Sequence, residues 1–108
     1  MIRRAYTIQL TPGALAEYTE KHDRIWPELV EEFARQGIAQ LTAFAADPVV
    51  YYYAEVADEQ AFERLFQTAV HDRWAAEFTD LIAFDADGQV SAPFLTEIFH
   101  LETGAAAR

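Results

Sequence analysis

The chain of 108 residues contains no cysteine, only four glycines, and a single methionine, at its first position. Without cysteine there is no disulfide framework, no thiolate metal ligand and no thiol redox chemistry. Four glycines leave little material for a phosphate-cradling loop, and no glycine-rich nucleotide fingerprint occurs. A serine nucleophile elbow is also missing, so covalent acyl transfer has no support. Basic residues are scarce, 8 against 18 acids, and the net charge of −10 repels phosphate backbones and anionic lipid. Nucleic acid and membrane surfaces are therefore excluded as partners. No apolar run approaches the roughly 18 to 20 residues needed to cross a bilayer. The amino terminus, Met1-Ile2-Arg3-Arg4, leads straight into strand-like alternation, and a cytoplasmic protein is expected.

What is abundant is apolar and aromatic, 52% and 14% of residues. That suffices for one domain with a real core, expected over residues 1–101, with a loose tail over 102–108. Alternation predicts a strand over 3–10, with Tyr6, Ile8 and Leu10 on one face and Ala5, Thr7 and Gln9 on the other. Thr11-Pro12-Gly13 stops it and starts a helix that runs to about residue 22. A second helix begins at Pro27, where Leu29, Val30, Phe33 and Ala34 recur at helical spacing, and ends at Gly37. Two strands over 38–46 and 49–56 flank Asp47-Pro48 as a hairpin. Tyr51 and Tyr53 fall on one face of the second strand and Tyr52 on the other, so both faces of the sheet need cover. One helix layer covers one face, and a second copy of the chain is the simplest cover for the other.

Asp58 is placed as a helix cap before Phe62, Leu65, Phe66, Ala69 and Val70, and the helical pattern continues through Trp74, Phe78, Leu81 and Ile82. A break within 68–72 is expected, because one helix of this length is unusual. Residues 84–93 read as a loop and 94–101 as a last strand. The order strand, helix, two strands, helix, strand is the split βαβ arrangement of ferredoxin-like α+β domains with an antiparallel sheet.

The most distinctive run is Tyr18-Thr19-Glu20-Lys21-His22-Asp23-Arg24-Ile25-Trp26-Pro27-Glu28-Leu29. On a continuous helix Tyr18, His22 and Trp26 would share one face. Pro27 forces a kink or restart after His22 and so places side chains at a mouth. Any one of these residues alone is an ordinary core aromatic or a solvated histidine. Together, a titratable ring one turn from a phenol and beside an aromatic wall suits a small polar ligand. His22, His71 and His100 show no metal-ligand spacing, so no metal and no cofactor are expected.

The opening Met1-Ile2-Arg3-Arg4-Ala5, the run from Tyr18 through Trp26-Pro27-Glu28-Leu29, the Gly37 turn, Arg73-Trp74 and the close Glu97-Ile98-Phe99 resemble the L-rhamnose mutarotases, over nearly the whole chain. The resemblance implies a dimer of ferredoxin-like subunits with facing sheets, a dimeric α+β barrel. It implies a deoxyhexose pyranose as substrate, His22 as the catalytic proton donor, and sugar contacts from Tyr18 and Trp74. Trp26 joins these as a further apolar plane for the sugar. Two positions depart from the family pattern: Leu41 stands where a tyrosine is usual and Ala75 where a second tryptophan follows Trp74. Both are substrate-contact positions that here lack aromatic surface, and Tyr51 and Tyr53 are candidates to compensate. Imidazole suits anomer exchange, since a pKa near 6.5 keeps both protonation states accessible at neutrality. The alternatives are a cofactor-free monooxygenase-like enzyme using the same aromatic pocket for a planar substrate, and a non-catalytic sugar-binding module in which His22 is structural.

Overall fold

The computed structural model describes residues 1–105. Three strands form one antiparallel sheet: β1 (Ile2–Gln9), β2 (Ile38–Ala46) and β3 (Val49–Val56), in the order β1-β3-β2. Between β1 and β2 run helices α1 (Leu15–Asp23) and α2 (Pro27–Arg35), and after β3 come α3 (Ala61–Leu65) and α4 (Ala69–Ala76). The helices lie in the segments that follow β1 and β3 and pack on one sheet face, and the other is left open.

Register and alternation decide which side chains go inward. Tyr6 pairs with Tyr52 and Ile8 with Val50, while Ala43 meets Tyr52 from the other side. Tyr6, Leu10, Val50, Tyr52, Ala54 and Val56 are buried under the helices, joined by Leu29, Phe62, Leu65 and Phe78. On the opposite face Phe44 pairs with Tyr51 and Thr42 with Tyr53. Phe44 remains 64% exposed and Tyr51 43%. The alternation in β1 and β3 therefore runs as the sequence predicts.

Gly37 closes α2 with φ +91°, a left-handed conformation that glycine adopts without a Cβ penalty. A Cβ there would also meet the Ala57 Cβ at 3.1 Å. The expected break in the second helical region falls at residues 66–68. There the Thr68 hydroxyl bonds the Leu65 carbonyl and accepts from the His71 amide, capping α4. Asp58 is not the cap of α3; that position is Gln60, whose amide donates to Asp58. Asp58 instead pairs with Arg64 on the same segment. Helix α4 also stops earlier than the apolar spacing predicts, at Ala76, and Phe78 and Leu81 reach the core from turns.

The last strand expected over 94–101 does not form. Only Phe94 bridges Tyr6, antiparallel, and the Leu95 amide donates to the Ala5 carbonyl at 2.7 Å. The Phe94 ring is held by Tyr6, by Phe62 and by the Arg4 guanidinium 3.9 Å from its centre. Beyond it Ile98, Phe99 and Leu101 are exposed. The segment thus occupies the free edge of β1, where the fourth strand of a ferredoxin-like sheet belongs, as one bridge. The tail is exposed through residue 105; its expected looseness over 106–108 lies outside the described residues. Among the described residues no helix is long and apolar enough to cross a membrane.

Candidate active site

The run Tyr18 to Leu29 folds as two helices meeting at a corner. α1 ends at Asp23, and Pro27 opens α2 at its first position, where its missing amide is no loss. A residue before proline is pushed away from the helical region, and Trp26 is extended, with φ −68° and ψ 133°. Tyr18 and His22 therefore share a face of α1, but Trp26 leaves it. This corrects the expectation that all three rings line one surface. Trp26 packs edge-on behind Trp74, ring centres 5.2 Å apart, and faces an outer recess of about 460 Å³ rather than the inner cavity. That recess is walled by Glu17, Glu20, Lys21, Arg24 and Glu77, largely paired with one another, and is a solvated charged surface.

The inner cavity, about 330 Å³, lies between the helix layer and the covered sheet face. This is at the small end of the range of about 300–1,000 Å³ for small-molecule sites. Tyr18, His22, Leu41, Trp74 and Ala75 all line it. So do Tyr6 and Tyr52 from the sheet, His71 from α4, and Ile82, Val90 and Ala92 from the segment that follows. No lysine, arginine or carboxylate is among the lining residues, so the cavity suits a neutral ligand. Leu41 and Ala75 add apolar wall there without hydroxyl or indole. Tyr51 and Tyr53 point to the opposite sheet face and cannot compensate for them.

At the inner end of α1, His22 is held by both ring nitrogens. Nδ1 lies 2.8 Å from the Tyr18 carbonyl oxygen, which can only accept, so Nδ1 carries the proton. Nε2 lies 3.1 Å from the Tyr52 hydroxyl. In the neutral ring Nε2 has a lone pair and receives that hydroxyl's proton. Tyr52 Oη also bonds Tyr18 Oη. With Tyr52 donating to His22, Tyr18 donates to Tyr52. Trp74 stands edge-on to the imidazole at 5.5 Å, and Phe78 lies tilted against it at 5.1 Å.

Burial sets the protonation states. Desolvation lowers the His22 pKa from its ordinary 6.5, against smaller upward pulls from the Tyr18 carbonyl and Asp23. Burial likewise raises Tyr18, and raises Tyr52 far above the usual phenol range. The site at neutral pH is a neutral imidazole base attached to two protonated phenols.

Tyr52 is the residue that sequence reasoning left unassigned. Its signal was present: it alternates in phase with Val50, Ala54 and Val56. His71 is the second imidazole on the cavity wall, half-buried against Phe66 with ring centres 4.9 Å apart and no side-chain hydrogen bond among the described residues. Desolvation lowers its pKa too, opposed by Asp72.

Histidines with folded pKa values below 6.5 bind fewer protons in the native state than in the unfolded chain. Stability is then full above about 6.5 and falls as pH drops toward the lowered values. Thermal melts between pH 7 and 5 should show a declining midpoint, and His71→Leu should flatten that slope. The carboxylates of Asp58 and Glu97, lowered by hydrogen bonds from Arg64 and Arg3, act in a separate and more acidic window. Unchanged slopes in His71→Leu would show that this ring stays solvated. Among the described residues no group of three or more histidine and carboxylate side chains is placed to hold a metal ion.

The L-rhamnose mutarotase family model matches residues 3–101. An L-rhamnose mutarotase of Lachnoclostridium phytofermentans is 30% identical over 104 residues, covering 94% of this chain and 100% of that protein. The crystal structure of an L-rhamnose mutarotase from Formosa agariphila superposes with a TM-score of 0.80 at 22% identity, over 94% of this chain and 100% of that one. A cofactor-independent oxygenase from Streptomyces nogalater superposes at 0.64 and 20% identity, over 94% of this chain and 96% of that one, a likeness of fold alone.

Proposed function

Because this chain belongs to the L-rhamnose mutarotase family, we propose that it interconverts the α and β anomers of L-rhamnose or a related 6-deoxyhexose pyranose in the cavity above Tyr52. It is a carbohydrate isomerase. The observation that carries the proposal for the site is the hydrogen-bonded chain His22–Tyr52–Tyr18 on the wall of an uncharged cavity.

Anomer exchange breaks the bond between C1 and the ring oxygen, removes a proton from the anomeric hydroxyl and places one on the ring oxygen. Rotation of the open carbonyl and the reverse steps give the other anomer. Both oxygens are bonded to C1, so a single shuttle can serve both. Tyr18 Oη donates to Tyr52 and keeps lone pairs to accept from the anomeric hydroxyl. As that proton leaves the sugar, Tyr18 passes its own to Tyr52 and Tyr52 passes its own to Nε2. The imidazolium then returns a proton along the same path to the ring oxygen. The phenols, whose ionisation burial opposes, relay protons without standing as phenolates. Trp74 and the apolar wall cover the C–H surface of the sugar and keep water from competing.

The test is saturation-transfer NMR on equilibrated L-rhamnose, L-fucose and related sugars. Exchange should accelerate in proportion to protein concentration for at least one of them. Rates indistinguishable from buffer across the panel would overturn the proposal.

The same reading includes a homodimer through the open sheet face. Phe44 and Tyr51 are paired across β2 and β3 and stand exposed there, and Leu95, Ile98, Phe99 and Leu101 add apolar surface that one chain leaves uncovered. A second copy placed face to face would bury both. Phe44→Glu puts a charge at the centre of that contact, and light scattering should find this variant monomeric at a concentration where wild type is dimeric. A wild type that is monomeric at high concentration removes the dimer from the account.

A further inference from the structure

Tyr6 is a buried phenol with nothing to bond. It is 7% exposed, and its hydroxyl makes no hydrogen bond among the described residues. Its ring is fixed on three sides: stacked on Tyr52 at 4.8 Å and 14°, and edge-on to Phe62 and Phe94, each at 5.4 Å. As the cross-strand partner of Tyr52 it points into the same layer, and it lines the same cavity. No side-chain oxygen or nitrogen sealed from solvent lacks a partner in the described residues, so the Tyr6 hydroxyl keeps an opening.

A hydroxyl in such a place gains no bond from the protein around it, and the opening it keeps lies on the cavity that Tyr6 lines. Phenylalanine would fill the same ring site. The hydroxyls of Tyr18 and Tyr52 are committed to each other and to His22, whereas that of Tyr6 is an uncommitted donor beside them. We propose that Tyr6 is a substrate-contact residue whose hydroxyl donates to a sugar oxygen adjacent to the one engaged by Tyr18. Burial keeps the phenol protonated and thus a donor throughout the neutral range. The contact also gives the cavity a fixed polar point on the sheet, while Leu41 on β2 offers none. The inference rests on the mutarotase reading, because it takes the ligand to be a sugar with oxygens on neighbouring atoms.

Tyr6→Phe tests it, with the ring stack preserved and the fold checked by circular dichroism. Without sugar the variant should melt at the wild-type temperature or above. With sugar, its kcat/KM for exchange should fall about tenfold, as the loss of one hydrogen bond predicts, and the sugar-induced rise in melting temperature should shrink. A variant that exchanges and binds sugar within twofold of wild type would show the hydroxyl to be merely hydrated. A variant that melts several degrees lower without sugar would show a structural role instead. Wild type that exchanges while Tyr6→Phe matches it overturns this assignment alone; wild type that exchanges no sugar overturns the mutarotase reading, and this assignment with it.

Discussion

In His22→Ala the exchange of sugar anomers should fall by about 10²- to 10⁴-fold, the contribution of a positioned acid/base group. No other group on the cavity wall can replace it at neutral pH. The phenols there are driven further from ionisation by burial, and it is His22, not His71, that is hydrogen-bonded to the Tyr52–Tyr18 pair among the described residues. Sugar affinity should change much less, since the wall of Trp74, Phe78 and Leu41 is untouched. The wild-type pH profile carries the same assignment. Because the His22 pKa is lowered by desolvation, the base form persists below the ordinary histidine range, and exchange should decline only as pH falls past that lowered value. Saturation-transfer rates for wild type and variant from pH 5 to 8 check both points. A His22→Ala protein exchanging within threefold of wild type would remove the imidazole from the chemistry.

Tyr52→Phe should be the second most damaging change, with an effect on kcat rather than KM. It takes away one oxygen and leaves the ring, so the stack on Tyr6 and the sheet register survive. It nevertheless cuts the path between Tyr18 and Nε2, since both bonds run through that oxygen. As His22 takes up a proton it becomes charged, and a hydrogen bond to a charged group contributes about 1.5–3 kcal/mol. That corresponds to about a 10- to 150-fold slower reaction. Tyr18→Phe should be milder in kcat if Tyr52 can reach the sugar directly, so the ratio of the two variants reports which phenol meets the substrate. Equal and small effects in both would mean that the sugar meets His22 without a relay.

The strands and helices through residue 56 were legible because their patterns are local. Alternation fixed the faces of β1 and β3, Pro27 fixed the corner, and Gly37 fixed the end of α2. The last strand was not, because its apolar spacing reads as a strand while the segment makes a single bridge to β1 and leaves Leu95, Ile98, Phe99 and Leu101 exposed. In the site, helical spacing brought Tyr18 and His22 together correctly but carried Trp26 along with them. The bend that proline imposes on its predecessor, and not periodicity, decides where that indole goes. Tyr52 was separable from Tyr51 and Tyr53 by alternation alone. What alternation could not supply was which face held the cavity, since that is settled by where the helices pack. The role of Tyr6 was hidden for a similar reason: a phenol on a buried strand face looks like core until its hydroxyl is found without a mate.

The Tyr18 carbonyl that orients His22 belongs to the helix backbone and not to the Tyr18 side chain. Alignment of the imidazole at Nδ1 is thereby inherited from a turn of main chain, and its other nitrogen is held by Tyr52. A lineage can then experiment with the side chains at 41 or 75 on the cavity wall, while the orientation of the imidazole stays put. Such insulation between aiming the catalyst and choosing its guest allows a pocket to change its preferences by single substitutions.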